Sequence, residues 1–177
     1  MIMGKLKVLT APDSKLTKEA KPIESVNDNV RKFMDDMLET MYHDHGVGLA
    51  ANQVGVLQRI IVMDLQEDDD KERQEGFYPL FLANPEIIET SGDVAEADEA
   101  CMSIPGQRIS VARPERVKVR FLNYNNEIQE IETDGWLARA FQHEIDHLDG
   151  KLTFDYLSKL KKDVSLRKLM KIKRLPA

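Results

Sequence analysis

One stretch late in the chain constrains what the rest can be: Gln142-His143-Glu144-Ile145-Asp146-His147-Leu148-Asp149-Gly150. Its core reads H-E-x-x-H. On a helix, positions four apart lie about 40° apart around the axis, so His143 and His147 can reach one metal ion from one face. Glu144 lies about 60° around from His147; it can reach a water on that ion without binding the ion itself. Two imidazoles that hold a metal and a carboxylate that moves a proton make the arrangement of zinc hydrolases. The bland alternative is a set of solvated polar residues on an amphipathic helix. The flanks oppose it: Trp136, Leu137, Ala140, Phe141, Ile145 and Leu148 predict a helix buried on most of its circumference, where unpartnered His and Glu are costly.

A metal needs a third protein ligand, and the common peptidase solutions fail. A metzincin-type continuation, H-E-x-x-H-x-x-G-x-x-H, finds its glycine at Gly150 but meets Thr153 where the third histidine belongs. No glutamate follows Glu144, which removes the thermolysin-like solution. The third ligand must come from upstream or from an aspartate, and Cys101, the only cysteine, is the foremost candidate.

The 177 residues predict a single catalytic domain over 1–177, large enough for a proper core. No apolar run is long enough to cross a membrane, and the apolar part of the first ten residues is too short for a secretory signal. A single cysteine excludes an internal disulfide and suits a reducing, cytoplasmic setting. The net charge of −6 is unevenly spread. Ser158 to Arg174 holds eight Lys/Arg and one Asp, a local +7, which leaves −13 on the remainder. An acidic body with a basic tail points to a separate partner for the tail, against the plainer reading of a solvated helix face.

Apolar residues at three- and four-residue spacing predict a helix over 26–43, capped by Asn27 or Asp28, with its methionines as core packing. His43 and His45 in the polar stretch at its end read as solvent-facing. Ile60-Ile61-Val62-Met63 predicts a buried strand. Gln66 to Gly76, highly charged, reads as a surface loop. Asn84-Pro85 predicts a bend between two strands, 80–83 and 87–88. Residues 117–124 and 127–132 alternate as a hairpin about Asn125-Asn126. A last helix is expected over about 155–174, with Leu157, Leu160 and Val164 on its packing face. Gly46-Val47-Gly48-Leu49-Ala50-Ala51-Asn52-Gln53 is small and permissive; its glycines allow backbone to approach a ligand.

Three separated stretches then coincide. Gly46-Val-Gly-Leu-Ala-Ala-Asn-Gln53, Glu99-Ala-Cys-Met-Ser103 and Gln142-His-Glu-Ile-Asp-His147 resemble, in order, the three motifs of the peptide deformylases: G-x-G-L-A-A-x-Q, E-G-C-L-S and H-E-x-x-H. The likeness runs from about Leu9 to Leu160. It departs at Ala100, where the family usually has Gly, and at Met102, where it usually has Leu; Met for Leu conserves volume.

The resemblance implies an α+β fold, with antiparallel β-sheets packed around a central helix carrying the H-E-x-x-H motif and a C-terminal helix. It implies hydrolysis of the formyl group from N-formylmethionyl peptides at the start of new polypeptides, with release of formate. Cys101, His143 and His147 would hold one divalent ion and leave a position for water; Glu144 would carry the proton. The Gln53 amide and the Met102 backbone N–H resemble the family's oxyanion donors. Backbone at Gly48 is expected to pair with an extended peptide, and Val47, Trp136 and Ala140 are candidates for the methionine pocket. Glu99 reads as structural, partly buried and paired with Arg108 or Arg113. The ligand set by itself suits zinc, whereas the resemblance implies ferrous iron, with nickel or cobalt as active substitutes; iron is favoured. Some members of the family dock on ribosomes through a C-terminal helix, which would give the basic tail its partner; neither DNA nor a membrane is expected. A zinc peptidase cutting internal bonds and a catalytically silent binding protein are the competing readings. Gly46–Gln53 opposes the first, and intact Glu144 and Gln53 oppose the second.

Overall fold

The computed structural model describes residues 4–66 and 73–174. The first three residues of the expected non-signal start, and 67–72 of the charged stretch read as a surface loop, lie outside the described residues. The described elements run α1 (Asp28–His43), β1 (Gly48–Ala50), β2 (Ile60–Met63), β3 (Leu80–Thr90), β4 (Val94–Cys101), β5 (Ile104–Pro114), β6 (Val117–Leu122), β7 (Ile128–Thr133), α2 (Gly135–Leu148) and α3 (Lys159–Lys173), with short 3₁₀ turns between some of them. The strands form a five-stranded antiparallel sheet, ordered β1-β2-β3-β6-β7, and a separate antiparallel pair, β4-β5. This is the α+β architecture that the resemblance implied.

The apolar run of β2 explains the layering. Successive strand residues face opposite sides, so a strand buried on both faces has no polar positions. Ile60 and Val62 join Met34, Met37 and Met41 of α1 on one face. Ile61 and Met63 join Leu137, Phe141, Ile145 and Leu148 of α2 on the other. α1 forms where its periodicity predicts: Asn27 caps it, its side-chain oxygen accepting from the Val30 N–H at 3.1 Å, and the methionines point inward. Phe141 is fully buried; cutting such a residue to alanine typically costs about 3–5 kcal/mol, so α2 is held rigidly. It stops at Gly150, whose φ of +72° is left-handed and where a Cβ would meet the Thr17 carbonyl oxygen at 2.7 Å; only glycine suits both.

Three expectations need correction. β3 is one strand through Asn84-Pro85, not two. The chain absorbs the proline as a bulge, with a register shift between Ala83 and Glu86, and Asn84, at φ +50°, exchanges two side-chain hydrogen bonds of 2.8 Å with the backbone of Ile23. Trp136 is not buried; it is 58% exposed at the start of α2. The last helix begins at Lys159, capped by Ser158, after a 3₁₀ turn at Thr153–Tyr156. Its anchors are Leu166 and Leu169, packed on Ile104, Ile109 and Val111 of β5. Leu160 is 75% exposed and Val164 is exposed as well. The reason is register: nine positions back from Leu169 is about 180° around a helix, and five positions is about 140°. Leu157 is half-buried in the same cluster but precedes the helix.

Candidate metal centre

α2 carries His143, Glu144 and His147 on buried positions. The two imidazoles, one turn apart, lie with ring centroids 5.0 Å apart and planes at 75°. Cys101 reaches them from the end of β4, where a register shift between Ala100 and Cys101 closes the β4-β5 pair. Its Sγ lies 3.3 Å from His147 Nε2. One donor atom from each of Cys101, His143 and His147 lies within 4.8 Å of the others, the one such cluster among the described residues. Ala100 has no left-handed backbone; among the described non-glycine residues only His45, Asn84 and Asn126 have positive φ, so alanine is compatible there.

Gln53 stands in the 3₁₀ turn Ala51–Val54. Its Oε1 accepts from the Ala50 N–H at 2.9 Å. Its Nε2 donates to Ser103 Oγ at 3.1 Å and faces Cys101 Sγ at 3.7 Å. The amide is thereby oriented with its N–H side toward the cluster. Met102 is partly buried against the α1 core. Gly48 is pressed onto the catalytic candidate: a Cβ there would lie 2.5 Å from Glu144 Oε1, a gap that only glycine leaves open.

The electrostatics follow from burial. Glu144 is buried and its Oε2 has no protein partner; desolvation pushes its carboxyl up to about 7, against the opposing pull of His143. Burial holds His147 well below the usual histidine range, aided by the charges of His143 and Arg113. Burial would lower His143 as well, but hydrogen bonds to Cys101 and Glu99 outweigh it and leave it raised. Glu99, also desolvated, is carried down to about 2 by hydrogen bonds from Arg113 and His143. Its Oε2 lies 2.8 Å from His143 Nδ1, which leaves Nε2 as the ring nitrogen available to an ion. His147 Nδ1 is buried without a protein partner. One cysteine sulfur, two imidazoles and buried, unsatisfied polar atoms fit a divalent cation.

The structure gathers Cys101, His143, His147, Glu144 and Gln53, with Gly48 beside Glu144. Of the three residues expected around methionine, it sets Trp136 on the wall of a cavity that the other two do not line. A cavity of about 450 Å³ lies between the start of α2 and the β4-β5 pair, walled by Trp136, Arg139, Arg116, Pro114, Ala95 and Ala97 among others. Val47, half exposed, and Ala140, packed on the α2 core, are not among its walls. Of the two arginines offered for Glu99, Arg113 binds it, at 2.6 and 2.9 Å; Arg108, an odd number of positions along β5, faces the other way and is exposed. Sequence reasoning missed Arg139, Asp146 and Tyr156. Arg113 Nη1 donates to Asp146 at 2.8 Å, and the Tyr156 hydroxyl donates to the same carboxylate at 2.6 Å. Arg139 did leave a signal, being a charged residue inside the apolar run of a buried helix and four residues before His143.

The sequence profile of the family described as polypeptide deformylase matches residues 5–163. The peptide deformylase of Rickettsia akari is 56% identical over 97% of this chain and 98% of its own. The crystal structure of peptide deformylase from Ehrlichia chaffeensis is 40% identical, superposes with a TM-score of 0.89 and covers 97% of this chain and 98% of that one. A second structure from that organism, in complex with actinonin, is 41% identical, with a TM-score of 0.89 over 96% of this chain and 98% of that one. A match to the family over nearly the whole chain, at these identities and in this fold, means that the chain belongs to the peptide deformylases, metal-dependent hydrolases that remove N-terminal formyl groups from nascent peptides.

Proposed function

We propose that this chain deformylates N-formylmethionyl peptides with Cys101, His143 and His147 as metal ligands and Glu144 as the proton carrier. The observation that carries the reading is the convergence of those three donors beside a buried Glu144 whose Oε2 has no protein partner. Cys101, His143 and His147 would hold a divalent ion, which would supply a water whose pKa is lowered toward neutrality. Glu144, pushed up to about 7 by burial, is matched to accept a proton from the attacking water and return it to the departing amine. Water adds to the formyl carbon, the C–N bond breaks, and formate and a free amino terminus leave. On this reading Gln53 Nε2 and the Met102 backbone N–H are the donors to the oxygen on which charge develops; losing one such donor typically costs about 10²–10³ in rate.

The substrate is placed by β1. It is an edge strand of the five-stranded sheet, so its outer backbone groups at Gly48 can pair with an extended peptide. Val47, Trp136 and Ala140 remain the proposed contacts of the methionine side chain, with Trp136 offering exposed apolar surface. The wild-type protein is expected to release formate from a formyl-Met dipeptide and to leave the internal bonds of a blocked oligopeptide intact. Cleavage of the oligopeptide without formate would overturn this reading in favour of a peptidase.

For the metal we propose ferrous iron, with nickel or cobalt as active substitutes and zinc as a poorer one. Iron-loaded protein is expected to turn over faster than zinc-loaded protein at equal occupancy without oxygen, and to lose activity in air, since a metal-site thiolate is oxidisable. Equal anaerobic rates would refute the preference. The site of action is proposed to be the cytoplasm, where a lone thiol stays reduced; no described helix is long and apolar enough to cross a membrane.

The tail reading is refined by the helix register. Of the tail cations Lys159, Lys161, Lys162, Arg167, Lys168, Lys171, Lys173 and Arg174, all but Lys162 are exposed; Lys162 pairs with Asp155 at 2.6 Å and Lys173 donates to the Thr10 carbonyl at 3.2 Å, and Lys161, Arg167, Lys168 and Lys171 are the four positions to test. We propose that the exposed cations contact ribosomal RNA. Cutting α3 away would also remove Leu169 from the β5 core, so charge reversal is the cleaner test. Glu at those four positions is expected to abolish co-sedimentation with ribosomes at low salt and to spare dipeptide hydrolysis. Wild-type binding should weaken steeply with salt as phosphate contacts release counterions. Unchanged co-sedimentation of the variant would place the contact elsewhere.

A further inference from the structure

Glu99 is a buried carboxylate with all four lone-pair sites in use. Oε1 accepts from Arg113 Nε at 2.6 Å and from Arg139 Nη1 at 2.8 Å. Oε2 accepts from Arg113 Nη2 at 2.9 Å and faces His143 Nδ1 at 2.8 Å. Arg113 alone grips both oxygens in one plane, and a carboxylate held by a single fork can swing with it. Arg139 comes from another element and another direction. Its Nη1 also donates to the Val111 carbonyl of β5 at 2.9 Å, and its Nη2 donates to the Ala95 carbonyl of β4 at 2.8 Å. The guanidinium is therefore clamped to both strands of the β4-β5 pair while its Cα sits on α2, one turn before His143. Ala95, Ala97, Glu99 and Cys101 alternate along one face of β4. The two alanines are small enough for the Arg139 side chain to lie beside them along the cavity wall.

We propose that Arg139 is a positioning residue for the metal centre. It fixes Oε1 of Glu99 at the junction of β4, β5 and α2, so that Oε2 holds the His143 ring with Nε2 turned toward Cys101 and His147. It touches no reacting atom, and the proposal rests on the reading of those three residues as ligands. Outer partners of this kind typically change metal affinity by about 10–100-fold. The plainer alternative is that Arg139 only ties α2 to the β4-β5 pair through the two carbonyls.

A double-mutant cycle separates the two. Cobalt-loaded wild type, Arg139→Met, Glu99→Gln and the double variant are mixed with a chelator, and loss of the sulfur-to-cobalt absorption gives the release rate. Thermal midpoints and the kcat and KM for a formyl-Met dipeptide are read alongside. Arg139→Met, which keeps the stem against the cavity, is expected to speed release by about 10–100-fold, with kcat falling more than KM rises. On the Glu99→Gln background the same change should add less than about threefold, because its effect passes through Glu99. A purely structural Arg139 would lower the midpoint, leave release unchanged, or add its full effect on both backgrounds; any of these without the coupling overturns the proposal. Should Arg139→Met not fold, Arg139→Lys, which can satisfy one acceptor, is expected to release at an intermediate rate, and wild-type release from it is the overturning result. Wild type that holds no cobalt would sink the ligand reading itself, whereas wild type that holds it with no coupling sinks only the role of Arg139.

Discussion

Glu144→Gln is expected to keep its full metal content and to lose turnover by about 10²–10⁴-fold, the usual contribution of a positioned acid–base group. The amide is nearly the same shape, and the site that receives it is already formed: Oε1 lies against Gly48, and Oε2 is buried with no protein partner. What the amide cannot do is accept a proton from water or pass one to the leaving amine. Bound metal and formate release are to be measured on the same preparation, with KM for a formyl-Met dipeptide. A fall in kcat with metal and KM preserved supports the assignment. Metal lost in proportion to activity would make Glu144 a ligand and overturn its role as proton carrier.

Cys101→Ser is expected to release metal far more readily than the wild type, by more than the roughly 10–100-fold that changes outside the ligand set produce. An alcohol is a poor donor where a thiolate serves a soft site, and among the described residues there is no other three-donor cluster to take over. The change should be local: Sγ contacts His147 Nε2 at 3.3 Å and faces Gln53 Nε2 at 3.7 Å, and serine fills nearly the same volume. In the wild type, bound metal should slow labelling of the thiol, and peroxide should inactivate the enzyme by carrying that thiol up the oxidation ladder. A serine variant with full metal and full deformylation would remove Cys101 from the ligand set.

What the sequence determined by itself is whatever neighbours within a turn or a strand decide. Four-residue spacing puts His143 and His147 on one side of α2 whatever the remainder of the chain does. The methionine periodicity makes α1, and a strand with no polar position, Ile60–Met63, must be covered on both faces. The family motifs were legible for the same reason, since each is a contiguous run. Tertiary structure decided everything that depends on register between distant segments. Cys101 approaches the helix because β4 pairs with β5 up to a shift at Ala100. Arg113 rather than Arg108 binds Glu99 because strand residues alternate and only one parity of β5 faces inward. Arg139, buried in the middle of an apolar helical run, finds its partners on two strands that no local pattern ties to it. The last helix showed the limit of periodicity most plainly. Its composition leaves several apolar stripes open, and the choice of Leu166 and Leu169 over Leu160 and Val164 was made by the surface that β5 presents. Local pattern fixes which face an element can bury; the partner it meets fixes which face it does bury.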